Sequence, residues 1–330
     1  MRVLNPRGMP PDPEEDVLDW LTATADPPYL VLSHGEDLDG LTSAAMLYAA
    51  LAGEVRLRFE SPDRALRSQA PVHIVADLPP PAGGAFIMFD HHETNVALAR
   101  ERVKRAFVSP QSPSTADVIR SVLGSKVDFS RLSPLIELTS KIDSGLMGFE
   151  GAAFTAAVKR IFWSPKRGAI LESIVRSLLE SPPSSEEDLL EIPAVKRSWS
   201  EILRLHSQEV GWISELSSSL ELQDSGPAAA VVDMRRVPGY LTPLVHQALR
   251  GSFDVVVTLG RWRGEDSRVS VRSRPGGPAI ALSLARVFGG GGHPRAAGFT
   301  LRAADLPRMM EILRESNLRV VIIKPPTAAR

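Results

Sequence analysis

The 330-residue chain contains no cysteine. That excludes disulfides and thiolate metal sites, and it leaves His, Asp and Glu as the side chains able to hold a metal. Such a set favours hard ions such as manganese or magnesium over structural zinc. The same lack fits a reducing compartment, and a cytoplasmic location is expected. Long apolar runs are also missing: the apolar stretches are strand-length, so no membrane span is expected. The first residues, Met1 to Pro13, are rich in Pro and Arg and carry no apolar core of a secretory signal. A strong charge of either sign is lacking too. The formal net charge is -1, so bulk basicity does not drive binding to long nucleic acid, and any polyanion site is a local patch. Lysine is scarce beside arginine and there are 27 prolines; a hot habitat and a GC-rich genome explain both equally well. What is present suffices for a core. The hydrophobic fraction of 43% is ordinary for a globular chain, and the length suits two domains.

The first part alternates strand and helix. Residues 29–33, 54–60, 72–78 and 85–89 read as strands, and the alanine- and leucine-rich stretch 41–51 reads as a helix. Short connections among them predict a mostly parallel, doubly wound sheet covered by helices, with ligands bound outside the carboxyl ends of the strands. His34, Asp37, Asp39, Asp77 and Asp90-His91-His92 all fall just after strand candidates. A helical stretch follows from 115 to about 179. A break at Ser181-Pro182-Pro183-Ser184-Ser185 precedes residues 186–222, read as one long helix interrupted at Pro193 and serving as a connector. Gln223-Asp224-Ser225-Gly226-Pro227 marks a boundary. Beyond it, strands are expected at 228–234, 253–259, 268–272 and 318–324, and helices at 280–288 and 304–316. The expected organisation is an N-terminal α/β domain (1–182), a helical connector (183–225) and a smaller C-terminal α/β domain (226–330), with a cleft between the domains.

Two segments carry most of the chemistry. Asp90-His91-His92 ends an apolar run, and adjacent histidines on a strand-end loop suit metal ligation and proton transfer better than burial without partners. Gly289-Gly290-Gly291-Gly292-His293, ahead of Pro294-Arg295, offers backbone N–H groups to an anion with no side chain in the way. On the loop His34-Gly35-Glu36-Asp37-Leu38-Asp39-Gly40, two carboxylates and a histidine can converge on metal. The competing reading is a polar loop with Asp39 capping the next helix. Asp77 and Asp143 are weak signals singly, each equally a turn or helix-end residue. Together, the carboxylates lie on separate strand or helix ends without balancing basic residues, and they would repel unless cations sat between them. Two divalent ions about 3.5–4 Å apart are the usual solution, and they activate water for in-line attack on phosphorus.

His34…Asp37-Leu38-Asp39-Gly40, then Asp77, then Asp90-His91-His92, then Asp143 resembles the four motifs of the DHH phosphoesterase superfamily. Ser114-Thr115-Ala116 is similar to the segment that follows the DHH motif there. Val269 to Ser273 and Phe288 to Phe299 resemble the associated C-terminal domain of the first type (DHHA1), which separates the chain from the family's inorganic pyrophosphatases. The resemblance implies that Asp77 bridges two metals, that His34 and Asp37 complete one, and that Asp39, His91 and Asp143 complete the other. His92, with Asp90, would contact the scissile phosphate or protonate the leaving oxygen. Arg272, Gly290, Gly291, Gly292 and His293 would hold substrate phosphates, helped by Arg295 and Asn95. One departure stands out. Two residues separate His34 from Asp37, where members more often have one or three, so Glu36 competes with His34 for its place.

The resemblance implies a divalent-metal-dependent phosphoesterase with two manganese ions, magnesium or cobalt being alternatives. The expected substrate is a short RNA or DNA oligonucleotide or a nucleotide phosphoester, as in the nanoRNase and phosphoadenosine-phosphate phosphatase branch. The runner-up is a single-strand exonuclease of the RecJ type with replication partners, and the non-enzyme alternative is an inactive replisome scaffold. No membrane partner is expected, and a homodimer is left open.

Overall fold

The computed structural model describes residues 2–4, 16–219 and 226–325. Most of the Pro- and Arg-rich start and the Gln223-Asp224-Ser225 part of the expected boundary lie outside the described residues. The chain forms two compact units, Met1–Leu146 with Val158–Ser198, and Met147–Ala157 with Trp199–Arg330.

The first unit runs β1 (Arg2–Leu4), α1 (Val17–Thr24), β2 (Tyr29–His34), α2 (Leu38–Ala50), β3 (Val55–Glu60), α3 (Pro62–Arg67), β4 (Val72–Ala76), β5 (Ala85–Asp90), α4 (Val96–Arg102), β6 (Val103–Val108), α5 (Thr115–Leu123) and α6 (Ser133–Asp143). Its sheet has the order β1-β6-β5-β4-β2-β3. All neighbours are parallel except β1, which pairs antiparallel with β6. Successive residues Val31 and Leu32, or Ile74 and Val75, are equally buried. Both faces are therefore covered, which is why these strands read as apolar runs rather than alternating ones. From β2 the chain steps to β3 on one side and then to β4 on the other. That reversal makes a crevice at the carboxyl edge, where such sheets bind ligands.

Strand β6 was not read from the sequence because its second and third residues are Lys104 and Arg105. The structure covers these charges with aromatic faces. Lys104 Nζ lies 4.0 Å from the Phe86 ring centre, and the Arg105 guanidinium 4.5 Å from that of Trp20.

Helix α7 (Phe149–Phe162) starts in the second unit and ends in the first, and α8 (Arg167–Glu180) belongs to the first. The single connector helix expected over 186–222 is three helices: α9 (Glu186–Glu191), α10 (Pro193–Leu205) and α11 (Ser207–Ser219). Pro193 opens α10 instead of interrupting a longer helix, as its fixed φ and missing N–H allow at a first position.

The second unit continues with β7 (Ala228–Met234), α12 (Thr242–Leu249), β8 (Val255–Arg261), β9 (Ser267–Ser273), α13 (Ala281–Val287), β10 (Gly291–His293), β11 (Ala296–Leu301), α14 (Leu306–Glu315) and β12 (Arg319–Ile323). The sheet order is β10-β11-β9-β8-β7-β12. Val257, Val271, Leu284, Phe299 and Met309 share its core. The glycine run is part of a hairpin, with Gly291, Gly292 and His293 paired to Gly298, Ala297 and Ala296. A Cβ on Gly290 would stand 2.3 Å from the Gly298 carbonyl oxygen, and one on Gly292, at φ +136°, would stand 2.4 Å from that of Ala296. Backbone approach within the hairpin thus requires both glycines before any ligand is considered. Among the described residues no helix is long and apolar enough to cross a membrane.

Candidate metal centre

The carboxyl edge of the first sheet gathers every candidate ligand of that unit. His34 ends β2, Asp90 ends β5, His91 and His92 follow it, and Asp143 ends α6. Asp37 is the N-cap of α2, its side chain accepting from the Gly40 N–H, so the cap is Asp37 and not Asp39. Asp77 follows β4 in the left-handed region, at φ +57°. For an L residue that conformation costs about 1–2 kcal/mol, and here it falls at the centre of the cluster.

His34 Nδ1 lies 2.8 Å from Asp37 Oδ2 and 3.3 Å from Asp77 Oδ2. His91 Nε2 lies 3.3 Å from Asp143 Oδ2, 3.6 Å from Asp39 Oδ2 and 3.9 Å from Asp77 Oδ1. His92 Nδ1 is 2.7 Å from Asp90 Oδ1 and 3.7 Å from Asp77 Oδ1. Within the first unit three ligand sets result among the described residues, each with donor atoms within 4.8 Å of one another: His34, Asp37 and Asp77; Asp39, His91 and Asp143; Asp77, Asp90 and His92. Asp77 belongs to two of them and approaches the third through His91.

The surroundings hold these groups in place. Asp39 accepts the N–H of Thr115 at 2.7 Å and of Ala116 at 3.0 Å, both in the first turn of α5, where backbone donors favour an anion. Thr115 Oγ1 donates to Asp77 Oδ1 at 3.1 Å. The sequence flagged Thr115 only as part of a family-like segment; its grip on two carboxylates depends on a fold contact that local pattern does not show. His91 Nδ1 faces the Ser112 carbonyl oxygen at 3.2 Å, so the proton sits on Nδ1 and Nε2 offers its lone pair to the cluster. Asp90, fully buried, accepts the N–H groups of His91 and His92 together with His92 Nδ1 and Asn95 Nδ2. Gly40 passes under His34, where a Cβ would be 2.2 Å from the His34 carbonyl oxygen.

Charge in the cluster is poorly balanced without cations. Burial, and then the neighbouring Asp77 charge, push Asp39 up to about 7. Burial and Asp39 push Asp143 up to about 6. Burial raises Asp77 as well, with Asp37 adding to it. His92 shows the converse: burial would lower it, but Asp90 and its hydrogen bond outweigh that and hold it up to about 10. His34 is likewise raised against burial by Asp37. Carboxylates that resist ionisation because of one another, interleaved with imidazoles, fit divalent cations of the hard class.

Glu36 is outside these sets. Its carboxylate pairs with Lys159 at 3.6 Å, whereas His34 points into the cluster. His34→Ala should therefore weaken manganese affinity by about 10-fold or more, on the scale of losses seen around metal sites, and Glu36→Ala should change it little. Calorimetric titration of both variants with manganese checks this; the reverse ranking would return the place to Glu36. Asn95 serves Asp90. In the second unit Arg272 lies on β9 and His293 ends β10. Arg295 Nη1 donates to the carbonyl oxygens of Arg274 and Gly277, which ties it to a turn.

No protein-family model matches the chain. A bifunctional oligoribonuclease and PAP phosphatase, NrnA, from Thermus thermophilus is 26% identical over 338 aligned positions, covering 92% of this chain and 94% of that protein. This full-length likeness agrees with the resemblance to the DHH phosphoesterases carried by the sequence motifs. Among solved structures, the pGpG-specific phosphodiesterase PggH of Vibrio cholerae shares the fold, with a TM-score of 0.56 and 17% identity over 87% of this chain and 98% of that one. RecJ of Thermus thermophilus in complex with Mg2+ aligns more loosely, with a TM-score of 0.47 and 18% identity over 89% of this chain and 51% of that one.

Proposed function

We propose that this chain is a divalent-metal-dependent phosphoesterase of the DHH type that hydrolyses short oligonucleotides or nucleotide phosphoesters. The observation that carries the reading is the set of overlapping carboxylate–imidazole triads at the switch point of the sheet. A full-length likeness to an oligoribonuclease and PAP phosphatase supports the substrate class. His34 and Asp37 would hold one manganese ion, Asp39, His91 and Asp143 a second, and Asp77 both. Ions held there would lower the pKa of water and offset charge on the phosphate. His92 keeps Nδ1 on Asp90, so its Nε2 would carry the mobile proton, and in the metal-free protein Asp90 holds the ring charged at neutral pH. It can therefore donate to a departing oxygen. Asp90, fully buried against His92, would position that ring.

Arg272, Gly291 and His293 would hold substrate phosphates. Arg272→Ala should leave metal content intact, raise KM and, if the contact tightens at the transition state, lower kcat. Lys should rescue only partly, because Arg holds a phosphate through two parallel hydrogen bonds. Elemental analysis beside steady-state kinetics checks this. Unchanged kinetics on every substrate would remove Arg272 from the phosphate site.

The function is tested by incubating the protein with manganese and labelled dinucleotides, a five-nucleotide RNA, a long single-stranded DNA and phosphoadenosine phosphate. Release of mononucleotides from the short RNAs, or of phosphate from phosphoadenosine phosphate, is expected. Preferential degradation of the long strand would favour a RecJ-type exonuclease, and no turnover with no manganese binding would favour a scaffold.

A further inference from the structure

Beside the metal cluster, at the free edge of the same sheet, lies a second group of side chains that the reaction does not use. Trp163, just past the end of α7, is 57% exposed, unusual for so large an apolar surface. Its ring stands edge-on to Phe162 at 5.3 Å between centres, and the Arg64 guanidinium lies 5.4 Å from its centre. Arg167 lies 5.4 Å from the Phe162 ring centre. Beneath them Glu60, the last residue of β3, is buried. It accepts from Arg58 at 3.3 Å and lies 3.6 Å from Arg167 and 3.9 Å from Arg64. One carboxylate therefore gathers three guanidiniums. Arg64 and Arg167 stand at ion-pair rather than hydrogen-bond distance from it, which leaves N–H donors for another anion.

This patch is joined to the centre by packing. Glu60 is the register partner of His34 across the parallel ladder. Phe162 lies against the ligand loop, where a Cβ on Gly35 would come 2.7 Å from its ring. Lys159, one turn earlier on α7, is the partner of Glu36. The exposed tryptophan is thus one ring away from the loop that carries His34 and Asp37. An exposed aromatic face flanked by arginines is the arrangement that stacks a base while neutralising the adjoining phosphate, without regard to sequence. The chain's net charge of -1 makes such a local patch the form that polyanion recognition must take.

We infer that Trp163, Arg64 and Arg167 form a binding subsite for a nucleotide of a single-stranded oligonucleotide beyond the two that flank the cleaved bond, the base stacking on Trp163 and its phosphate meeting the arginines. This rests on the oligonucleotide reading of the function. Base–aromatic stacking is worth about 1–3 kcal/mol per base, so Trp163→Ala should raise KM for a five-nucleotide RNA by about 10-fold and leave a dinucleotide unchanged. Trp163→Phe should recover most of the loss. Arg64→Gln should lower the slope of log affinity against log salt by about 0.7, the share of one phosphate contact on a single strand. Binding is read separately, by anisotropy of the labelled five-nucleotide RNA in chelator, where no turnover occurs. A selective loss in Trp163→Ala there, with no hydrolysis by the wild type in manganese, would sink the proposed activity and keep the subsite. Equal KM changes on both RNAs, or a loss that Phe does not recover, would mean that Trp163 acts only by propping the His34–Asp37 loop, and would overturn the subsite. So would unchanged anisotropy.

Discussion

Asp77→Asn should lose at least one bound manganese ion and lower kcat by more than about 10³-fold, since a single preorganised charge-stabilising group is worth about 10²–10³ in turnover and Asp77 serves more than one ligand set. Asn is the cleaner substitution than Ala. Asp77 sits at φ +57°, a region that Asn adopts more readily than Ala, so the amide keeps volume and backbone while deleting the charge. A second effect separates metal loss from misfolding. Burial, with the Asp37 charge adding to it, already disfavours the ionised Asp77 carboxylate, so the chelated Asn variant should melt no lower than the chelated wild type. It should gain much less on adding manganese. Elemental analysis, phosphate release and thermal melts check these three statements together. Full activity with metal content unchanged would remove Asp77 from the centre.

The metal-free protein should lose stability as pH rises from about 5 to about 8, and manganese should restore more of it at the higher pH. The sign follows from proton counts. Asp39 and Asp143 are raised in the fold, to about 7 and about 6. Above the usual carboxylate range the unfolded chain has released these protons while the native chain still holds them, so stability falls with pH until the folded values are passed. His92 acts in the same direction over a later window. Held up to about 10, it contributes stability that is full below the ordinary imidazole value and is lost as pH climbs towards 10. Metal ions replace those protons, and their affinity increases with pH for the same reason. Melts in chelator and in manganese at about pH 6 and about pH 8 give the test. A Tm gain from manganese that is equal or larger at the lower pH would contradict this electrostatic picture.

Much of the first unit was legible because its parallel strands, buried on both faces, are written as apolar runs that each end in a chemical residue. His34, Asp77 and Asp90 are all found that way. Strand β6 was hidden by Lys104, which is exposed, and by Arg105, which is buried; aromatic rings distant in sequence pack against both. The cap of α2 is Asp37, where the competing polar-loop reading had Asp39, because the two are equally good local candidates. Only the fold shows that Asp37 takes the Gly40 N–H while Asp39 turns to the first turn of α5. The glycine run was legible as a tight backbone, but not as a hairpin whose glycines touch their partner strand. Arg295 and Asn95 are suited to phosphate by residue type; their hydrogen bonds to carbonyl oxygens and to Asp90 are contacts that local pattern does not show. Local pattern thus located the edge of the sheet and its ligands. Long-range contacts decide which polar residues hold others in place, as Thr115 does for Asp39 and Asp77.

The central claim is that the cluster around Asp77 is a two-ion centre. The most direct measurement is a crystal grown or soaked with manganese and examined by anomalous scattering. Two peaks are expected, one among His34, Asp37 and Asp77, the other among Asp39, His91, Asp143 and Asp77. Peaks elsewhere with none at Asp77, or no peak at saturating manganese, would contradict it.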